Sequence, residues 1–546
     1  MPSTPTTKSQ VQAYRFVLRR MQSALVRKDA VMLHDPMRTH SRATIVGVCI
    51  AAVAVVGFLV WGLLSPDPKP PNEDSILISK QSGQVYVLIS NPRQLIPTFN
   101  LASARLLLVA RQQQNQQAQA GGTAGQIPSG SLSGGQGPKE ATMVDEKELK
   151  DIPRGRMTGI QNGPDMLPGN DARIDPYWAV CDAYEVDRTL PDPTSENNVE
   201  TTVLAGVKDL GPELAESHAL LVRGDDNKVY LVYRTPVTAN IKNANAVKAE
   251  VNMGDANVKA ALKLNDSDVR RITTGLLNAI PAQPPLTPPI IEGRGEQPNG
   301  FQVENLLIGQ VFQVERAGQR EFDYYVMLRG GIELIKRTTA DLIRFTESLN
   351  AKEIPTVAAD AISGVPNVDE IDDKPSPSVQ PEILTAEANP IACLGWTVTG
   401  EGNSADSHTA VHVGVEVPLP RKPDGTRYES IRIGTPGANG QRIDRFFMPP
   451  GRAAVVRGAE SKEDFGRGPI YLISDRGVKY GVPDVQTANI LGLADQRPAY
   501  SQITNLLPDG ASLNTRDVLQ TYDSVPVQPG VFETQQQQAG GGNGGG

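Results

Sequence analysis

Hydrophobic residues are unevenly distributed along the chain, and their longest run lies near the amino terminus. Residues 43–64 read ATIVGVCIAAVAVVGFLVWGLL, and no charge occurs between Arg42 and Asp67. A helix of this length is about 33 Å long, enough to cross a hydrocarbon core of about 30 Å. A cleaved signal peptide would have a shorter hydrophobic core and a small-x-small cleavage site, which this segment lacks. The pattern therefore predicts a single uncleaved transmembrane helix.

Upstream, residues 9–29 show the period of an amphipathic helix. Five hydrophobic residues share one face, and the arginines fall off it. These candidate docking residues are Val11, Tyr14, Leu18, Met21 and Leu25. Such a stripe suits a partner protein or the headgroups of an anionic membrane, and the sequence leaves both open. We expect Pro36 to end this helix, before a short basic connector enters the membrane.

Beyond the hydrophobic run, four segments share a tyrosine-bearing strand, a turn and a short helix with a central alanine. The tyrosine–alanine pairs are Tyr86 and Ala104, Tyr230 and Ala246, Tyr325 and Ala340, and Tyr471 and Ala488. Alternate strand residues would bury one face, and the small alanine would let the helix pack closely against it. The pattern predicts four small β/α repeat domains, the first to fourth repeats.

The segments between the repeats indicate one discontinuous β domain. Within it, Val411, Val413, Val415 and Val417 alternate as a half-buried strand would. The predicted fold class is α+β: a single N-terminal transmembrane helix, then an elongated extracytoplasmic body with a central β domain and four repeats.

These patterns also set the domain boundaries and the segments without regular structure. Residues 284–289 read as an extended linker, residues 112–137 as a mobile loop and residues 535–546 as disordered. The predicted boundaries are 1–42 for the cytoplasmic helix segment, 43–64 for the span, 65–170 for the first repeat with an insertion at 111–139, 171–215 and 384–460 for the central domain, 216–290, 300–383 and 461–530 for the other repeats, and 531–546 for the tail.

Charge sets the expected orientation. Residues 1–42 carry a net charge of +6, whereas the whole chain carries −8. Basic residues beside a span stay in the cytoplasm. We therefore expect a single-pass plasma-membrane protein with a cytoplasmic amino terminus and most of its chain outside. The acidic exterior argues against nucleic acid as a partner.

The chain has three cysteines. Cys49 lies in the predicted span, so Cys181 and Cys393 would both face an oxidising compartment. One long-range disulfide is the expectation, and two separately buried thiols are the alternative.

The search for catalytic chemistry is mostly negative. The sequence contains no P-loop, HExxH, GxSxG or CxxC motif. We therefore predict no catalytic, cofactor-binding or metal-binding residue. His408 and His412 would lie about 13 Å apart on a strand, too far to share one ion. The tripeptide at residues 223–225 reads as a hairpin tip, not an adhesion motif.

One basic cluster remains as a candidate anion site. Its members Arg452, Arg457, Lys462 and Arg467 lie in a segment that also contains Gly466 and Gly468. Nucleotide hydrolysis needs cations or backbone amides around the phosphates. A solvated basic surface is the favoured interpretation of this cluster, and an ATP site is the alternative.

The amino-terminal sequence TTKSQVQAYRFVLRRMQSALVRKDAVMLHDPMRTHSRA, leading into a single span, resembles the EccB family of the actinobacterial type VII (ESX) secretion system. Further matches are NLASARLLL, PRGRMTGI and DRGVKYGV. The resemblance extends over nearly the whole chain. Ala13 replaces the family's usual glycine, and the Gln-rich insertion and the oligoglycine tail are departures from the pattern.

The resemblance implies a structural core subunit that organises the outer side of a protein-export pore, without a cofactor. It implies EccC-, EccD- and EccE-like partners, a mycosin protease, a lipid membrane, further copies of the same chain and a paired Cys181 and Cys393. Family members are commonly labelled ATPases, so ATP hydrolysis is the rival function. The repeats are similar to a cell-wall-binding fold, so peptidoglycan binding is a second rival.

Overall fold

The computed structural model describes residues 7–27, 36–64, 69–119, 138–186, 189, 198–235, 245–316, 318, 321–346, 353–374, 376–400, 405–437, 440–441 and 443–522. The chain forms two compact units, Met1–Lys69 and Pro70–Gly546. We call them the small and the large unit. The predicted tail and residues 120–137 of the Gln-rich segment lie outside the described residues.

The described residues include eight α-helices, and the small unit contains two of them. The helices are α1 (Lys8–Arg27), α2 (Pro36–Leu64), α3 (Leu101–Gln119), α4 (Ala256–Leu262), α5 (Thr274–Ala279), α6 (Arg337–Thr346), α7 (Val485–Leu491) and α8 (Ser501–Thr504). The predicted role of Pro36 was wrong, because this residue begins α2 and does not end α1. Proline fits the first turn of a helix, where its missing N–H would have no intrahelical partner.

The strands all belong to the large unit. They begin with β1 (Ser75–Ser79), β2 (Val85–Ser90), β3 (Arg93–Thr98), β4 (Ala141–Val144), β5 (Met157–Thr158), β6 (Trp178–Tyr184), β7 (Val199–Ala205), β8 (His218–Arg223), β9 (Val229–Arg234), β10 (Ala246–Glu250), β11 (Arg270–Arg271), β12 (Ala282–Gln283) and β13 (Val311–Glu315). They continue with β14 (Phe322–Met327), β15 (Ile332–Ile335), β16 (Thr356–Val357), β17 (Glu382–Ile383), β18 (Ile391–Thr399), β19 (Asp406–Gly414), β20 (Ile431–Arg432), β21 (Arg445–Phe447), β22 (Ala453–Ala459), β23 (Ile470–Ser474), β24 (Lys479–Val482), β25 (Arg497–Tyr500) and β26 (Thr521–Tyr522).

The four repeats share one topology. Each has three consecutive antiparallel strands, a helix, and a fourth strand that pairs in parallel with the first. The sheet orders are β3-β2-β1-β4, β10-β9-β8-β11, β15-β14-β13-β16 and β24-β23-β22-β25. The helix supplies the crossover that a parallel pair requires.

The second repeat departs from the spacing that the sequence predicted. Ala246 lies in strand β10, so its predicted place at the centre of a helix was wrong. Residues 235–245 join the second and third strands here, whereas two to four residues suffice in the other repeats. This longer connection delays the helix, and the buried alanine on α4 is Ala261, 31 residues after Tyr230.

The repeats pack in pairs through their helices. Helix α3 of the first repeat packs against α7 of the fourth, and α4 of the second packs against α6 of the third. Ala104, Ala488, Ala261 and Ala340, one from each helix, are all fully buried. A small side chain at these positions allows the close approach that was expected between helix and sheet.

Helix α3 is longer than predicted. The side chain of Asn100 accepts a hydrogen bond from the Ser103 N–H and caps its start. The helix continues to Gln119, so the prediction of a mobile loop from Gln112 was wrong for residues 112–119. Glutamine and alanine favour a helix once one has begun, so low complexity alone did not indicate a loop.

The fifth sheet is central to the large unit and has the order β19-β18-β6-β7-β21-β20. The predicted strand of alternating valines exists but is shorter, because β19 ends at Gly414. Val415 lies beyond the strand and is 71% exposed. The alternation of valines in the sequence therefore extends beyond the end of the strand.

The first and last described strands of the large unit belong to the sheet of the first repeat. The last described strand, β26, pairs with β5, and β5 extends the sheet of the first repeat beside β3. Phe99 and Tyr522 pack edge to face there, with ring centroids 5.3 Å apart.

Candidate functional site

A disulfide links the two segments of the central sheet. Cys181 on β6 lies directly opposite Cys393 on β18, and their sulfur atoms are bonded. Both residues are almost fully buried, in a hydrophobic cluster that also contains Leu204 and Phe447. The predicted disulfide is confirmed, and Cys49 is free. The bond covalently joins strands that are 212 residues apart in sequence.

The opposite face of the central sheet packs onto the second and fourth repeats. Trp178 and Trp396 are cross-strand neighbours, each 1% exposed. The ring of Trp396 stacks on Tyr500 at 5.9 Å and meets Phe465 edge to face at 6.4 Å. One continuous hydrophobic core therefore contains the central sheet and parts of two repeats.

A buried carboxylate lies where the central sheet meets the second repeat. Asp182 on β6 is 2% exposed and accepts hydrogen bonds from the Thr273 N–H at 2.8 Å, the Thr273 hydroxyl at 2.8 Å and the Thr201 hydroxyl at 3.0 Å. Burial raises the pKa of Asp182 to about 6, although these bonds and the charge of Arg270 oppose the rise. Thr273 also caps α5, so one residue connects the carboxylate to the second repeat.

Arg270 is the nearby cation, and it is 3% exposed. Its guanidinium donates to the carbonyl oxygens of Asn389 at 2.7 Å and Pro390 at 2.9 Å, and it lies over the ring of Tyr184. Burial lowers the pKa of Arg270 to about 10, so the group stays protonated at neutral pH. It therefore ties β11 to the segment that enters β18.

Two arginines hold the fourth repeat to earlier parts of the chain, one from the first repeat and one from the segment that leads into β6. Arg105 on α3 donates to the Leu491 carbonyl at 2.6 Å. Arg173 donates to the Gly492 carbonyl at 2.7 Å and the Asp495 carbonyl at 2.9 Å. A cation at the end of α7 also opposes the negative end of the helix dipole. Sequence reasoning missed both arginines, because their partners are backbone atoms more than 300 residues away.

The predicted docking stripe lies on α1, and its hydrophobic side chains are exposed. The exposed fractions are 40% for Val11, 66% for Tyr14, 39% for Leu18, 53% for Met21 and 83% for Leu25. The helix is confirmed, and the docking role stays a prediction.

Sequence reasoning missed three further exposed hydrophobic residues on α1. Val17 flanks the stripe, and Phe16 and Val26 lie on the arginine-bearing side. A wider window on the helical period would have included Val17.

Helix α2 contains a candidate membrane span over Ala43–Gly62, with a mean hydropathy of 2.7. The side chains of this span are exposed, so the large hydrophobic surface is not used in packing within the chain. Hydrocarbon is the solvent that such a surface suits. The structure therefore agrees with the predicted span.

Arg452 lies apart from the other three cations of the candidate anion patch, which belong to the end of β22 and the connection to β23. Arg452 precedes β22 and Lys462 follows it, so a whole strand separates them. Arg452 donates to the Asp171 carbonyl, and Arg457 donates to Gln496 and to the Gly468 carbonyl. Two of the four cations, Arg452 and Arg457, are thus already hydrogen-bonded to oxygen atoms of the chain.

The histidines are engaged separately on β19. His408 bonds the Thr397 hydroxyl at 2.9 Å, and the Nδ1 atom of His412 lies 2.9 Å from the Gly211 carbonyl. Burial lowers the pKa of His408. Across the residues that the structure describes, no group of three or more His, Cys, Asp or Glu could hold a metal ion.

The 223–225 tripeptide lies where it was predicted. Residues 224–228 connect β8 to β9, and Asn227 adopts a positive φ of 62° in that turn. Asp225 is bonded to Thr274 and Arg271, within the second repeat.

An open groove of about 830 Å³ lies beside the central sheet. Its wall includes Val415, Pro418, Leu419 and Arg427. The guanidinium of Arg427 is paired with Glu416, so the groove does not present that cation to an anion.

A family model described as "Type VII secretion system ESX-1, transport TM domain B" matches residues 3–527. The chain belongs to the EccB family. This EccB-family chain is similar to curated relatives over almost its full length. It is 28% identical over 535 residues to a protein named ESX-3 secretion system ATPase EccB3 from Mycolicibacterium smegmatis, with 96% of this chain and 92% of that protein covered. A protein named ESX-1 secretion system ATPase EccB1, from strain MKD8 of the same species, is also 28% identical, with 96% and 97% covered.

Solved structures share the fold. A chain in the structure of an intact ESX-5 inner membrane complex matches with a TM-score of 0.65 and 22% identity, covering 98% of this chain and 99% of that one. The EccB3 dimer from the ESX-3 core complex gives a TM-score of 0.64 and 25% identity, covering 82% and 100%. The predicted α+β fold class and the resemblance to EccB are both confirmed.

Proposed function

We propose that this EccB-family chain is a structural core subunit of an ESX-type inner membrane complex, organising the outer side of the export pore. The observation that carries the proposal is the contrast between the two units. Most of the large hydrophobic side chains described in the large unit are buried within it, whereas those of α1 and the span are exposed. Exposed hydrophobic surfaces of this size mark contacts with a membrane or other proteins.

The partners in this proposal are further copies of this chain, EccC-, EccD- and EccE-like membrane subunits and a mycosin protease. Solved relatives support the assembly, because they are described as parts of an inner membrane complex, a periplasmic assembly and a dimer. We also propose that the amino terminus is cytoplasmic, since the basic residues precede the span.

Affinity purification of the tagged full chain in mild detergent tests this assembly, with partners identified by mass spectrometry. Co-purification of a motor ATPase and multi-span membrane subunits is the expected result. Recovery of the chain alone, from cells in which those subunits are expressed, would contradict the proposal.

We propose further that the chain needs no cofactor and hydrolyses no ATP, although its relatives are named ATPases. Among the candidate cations Arg452, Arg457, Lys462 and Arg467, the first two are hydrogen-bonded to oxygen atoms of the chain, and this supports the proposal. Purified full chain with magnesium and ATP should show no more turnover than a mock purification. Turnover that is lost when all four residues become glutamine would make the ATPase name correct.

Peptidoglycan binding is the less favoured role. Sugar recognition uses exposed aromatic side chains, and Trp178 and Trp396 are both buried. The third tryptophan, Trp61, lies in the candidate span.

A further inference from the structure

The junction between the central sheet and the second repeat contains the buried carboxylate of Asp182. Three donors surround it, and two of them belong to Thr273, the capping residue of α5. The junction can open only if these bonds break and water reaches the carboxylate. Asp182 is therefore buried in the closed junction and solvated in an open one.

The surroundings leave Asp182 as the group that responds to protons near neutrality. The neighbouring elements β18, α5 and α8 carry no charged residue. Strand β7 carries Glu200, which is bonded to Arg445 at 2.7 Å. Arg270 faces the carboxylate from β11 and remains a cation throughout this range.

The other titratable groups near Asp182 are Asp444, Tyr184 and Tyr500, and each of them contacts a different partner. Asp444 accepts a hydrogen bond from the Thr201 N–H at 2.8 Å and is exposed to solvent. The ring of Tyr184 lies under Arg270, and the Tyr500 hydroxyl donates to the Ala279 carbonyl. Tyrosine hydroxyls do not titrate below pH 7.

We propose that Asp182 is a proton-sensitive latch, which holds the second repeat against the central sheet more tightly in acid than in neutral solution. A carboxylate removed from water, with its nearest cation bonded to carbonyl oxygens, costs free energy when ionised. Protonation removes the cost of the buried charge in the closed junction, whereas in an open junction the carboxylate is in water and carries no such cost.

The direction follows from the two states. Burial raises the pKa of Asp182 to about 6 in the closed junction, from 3.8 for a solvated aspartate. The closed state therefore binds the proton more tightly than the open state. The extra stability that protonation gives the closed junction is lost as the pH rises through about 6. These two pKa values give an opening equilibrium that rises on the order of 20-fold between pH 4.5 and pH 7.5.

Amide hydrogen exchange of the full chain in detergent tests the latch. Rates for peptides covering residues 270–280 are measured from pH 4.5 to 7.5 and corrected for the intrinsic effect of pH. The corrected opening should rise with pH in these peptides and stay flat in β22 and β23 of the fourth repeat. A flat profile at residues 270–280 in the unmodified chain would overturn the proposal.

Two variants identify the titrating group. Asp182→Asn keeps a hydrogen-bonding side chain without charge, so its profile should be flat. Asp444→Asn, on the same network but exposed, should keep the unmodified profile. If Asp444→Asn loses the pH dependence instead, the titrating group is Asp444 and not Asp182, which contradicts the proposal.

An infrared measurement needs only one folded protein and therefore remains decisive if Asp182→Asn does not fold. A buried protonated carboxyl gives a carbonyl-stretch band that a carboxylate lacks. The measurement uses a full chain with Glu333→Gln, because Glu333 is also buried and burial raises its pKa too. This chain should show the band of a buried carboxyl at pH 5 and lose most of it by pH 7.5. Its absence at pH 5 would show that the carboxylate stays ionised, contrary to the latch.

Discussion

At the scale of residues, the disulfide between Cys181 and Cys393 is the feature with the largest expected effect on stability. It closes a loop of 212 residues in sequence. The chain-entropy model gives about 5 kcal/mol for a loop of that size, and measured losses are usually about 2–5 kcal/mol. We expect Cys181→Ala to lower the free energy of unfolding by about that range in urea denaturation. Cys49→Ala should have no such effect, and equal losses in both variants would contradict this account.

Arg173 supports a second prediction at this scale. Its side chain is 3% exposed and satisfies the carbonyl oxygens of Gly492 and Asp495. Arg173→Met would remove both of these hydrogen bonds from a charged donor, at a cost of about 1–3 kcal/mol. Arg476 pairs with Asp165 on the surface, and both side chains are 74% exposed. Arg476→Met is therefore the control, with an expected change within about 0.5 kcal/mol by the same denaturation.

At the scale of elements, helix α1 offers the sharpest test of partner docking. Introducing charge on the hydrophobic stripe, with Tyr14→Asp and Leu18→Asp, should release partner subunits while the chain stays in the membrane. Charge on the stripe would be buried in the contact without a partner. Co-purification in mild detergent measures the loss.

A single substitution on the other side of α1 provides the control. Phe16→Asp lies on the arginine-bearing side and should leave co-purification largely intact. Full retention of partners in the double variant would favour a helix that lies on lipid headgroups.

How far the sequence predicts these elements depends on whether the signal is local. The period of α1, the hydrophobic run of α2 and the hairpin at residues 223–225 all arise from neighbouring residues, and all three were predicted. The helix of the second repeat was misplaced because an eleven-residue connection changes spacing without changing topology. The network at Asp182 was missed because its partners, Thr201 and Thr273, come from separate elements.

At the scale of the whole molecule, topology follows from charge around the span. Residues 1–42 carry a net charge of +6, so we expect the amino terminus to stay in the cytoplasm. Single cysteines replacing Ser9 and Ser461, each in a chain with Cys49→Ala, should differ in labelling by a membrane-impermeant maleimide in intact cells. Position 461 should label and position 9 should not. The reverse pattern would invert the proposed orientation.

The pairing of β5 with β26 brings the last described strand of the large unit into the same sheet as its first strand. Its first and last described strands lie in one sheet, so the packing does not require the chain to begin at β1. If residue 522 were joined to residue 70 by a short linker, a new opening at Ile290, which is 98% exposed, would cut no strand and no helix. Such a circular permutant should fold with all five sheets intact. The folding of the large unit would then not depend on where its chain begins.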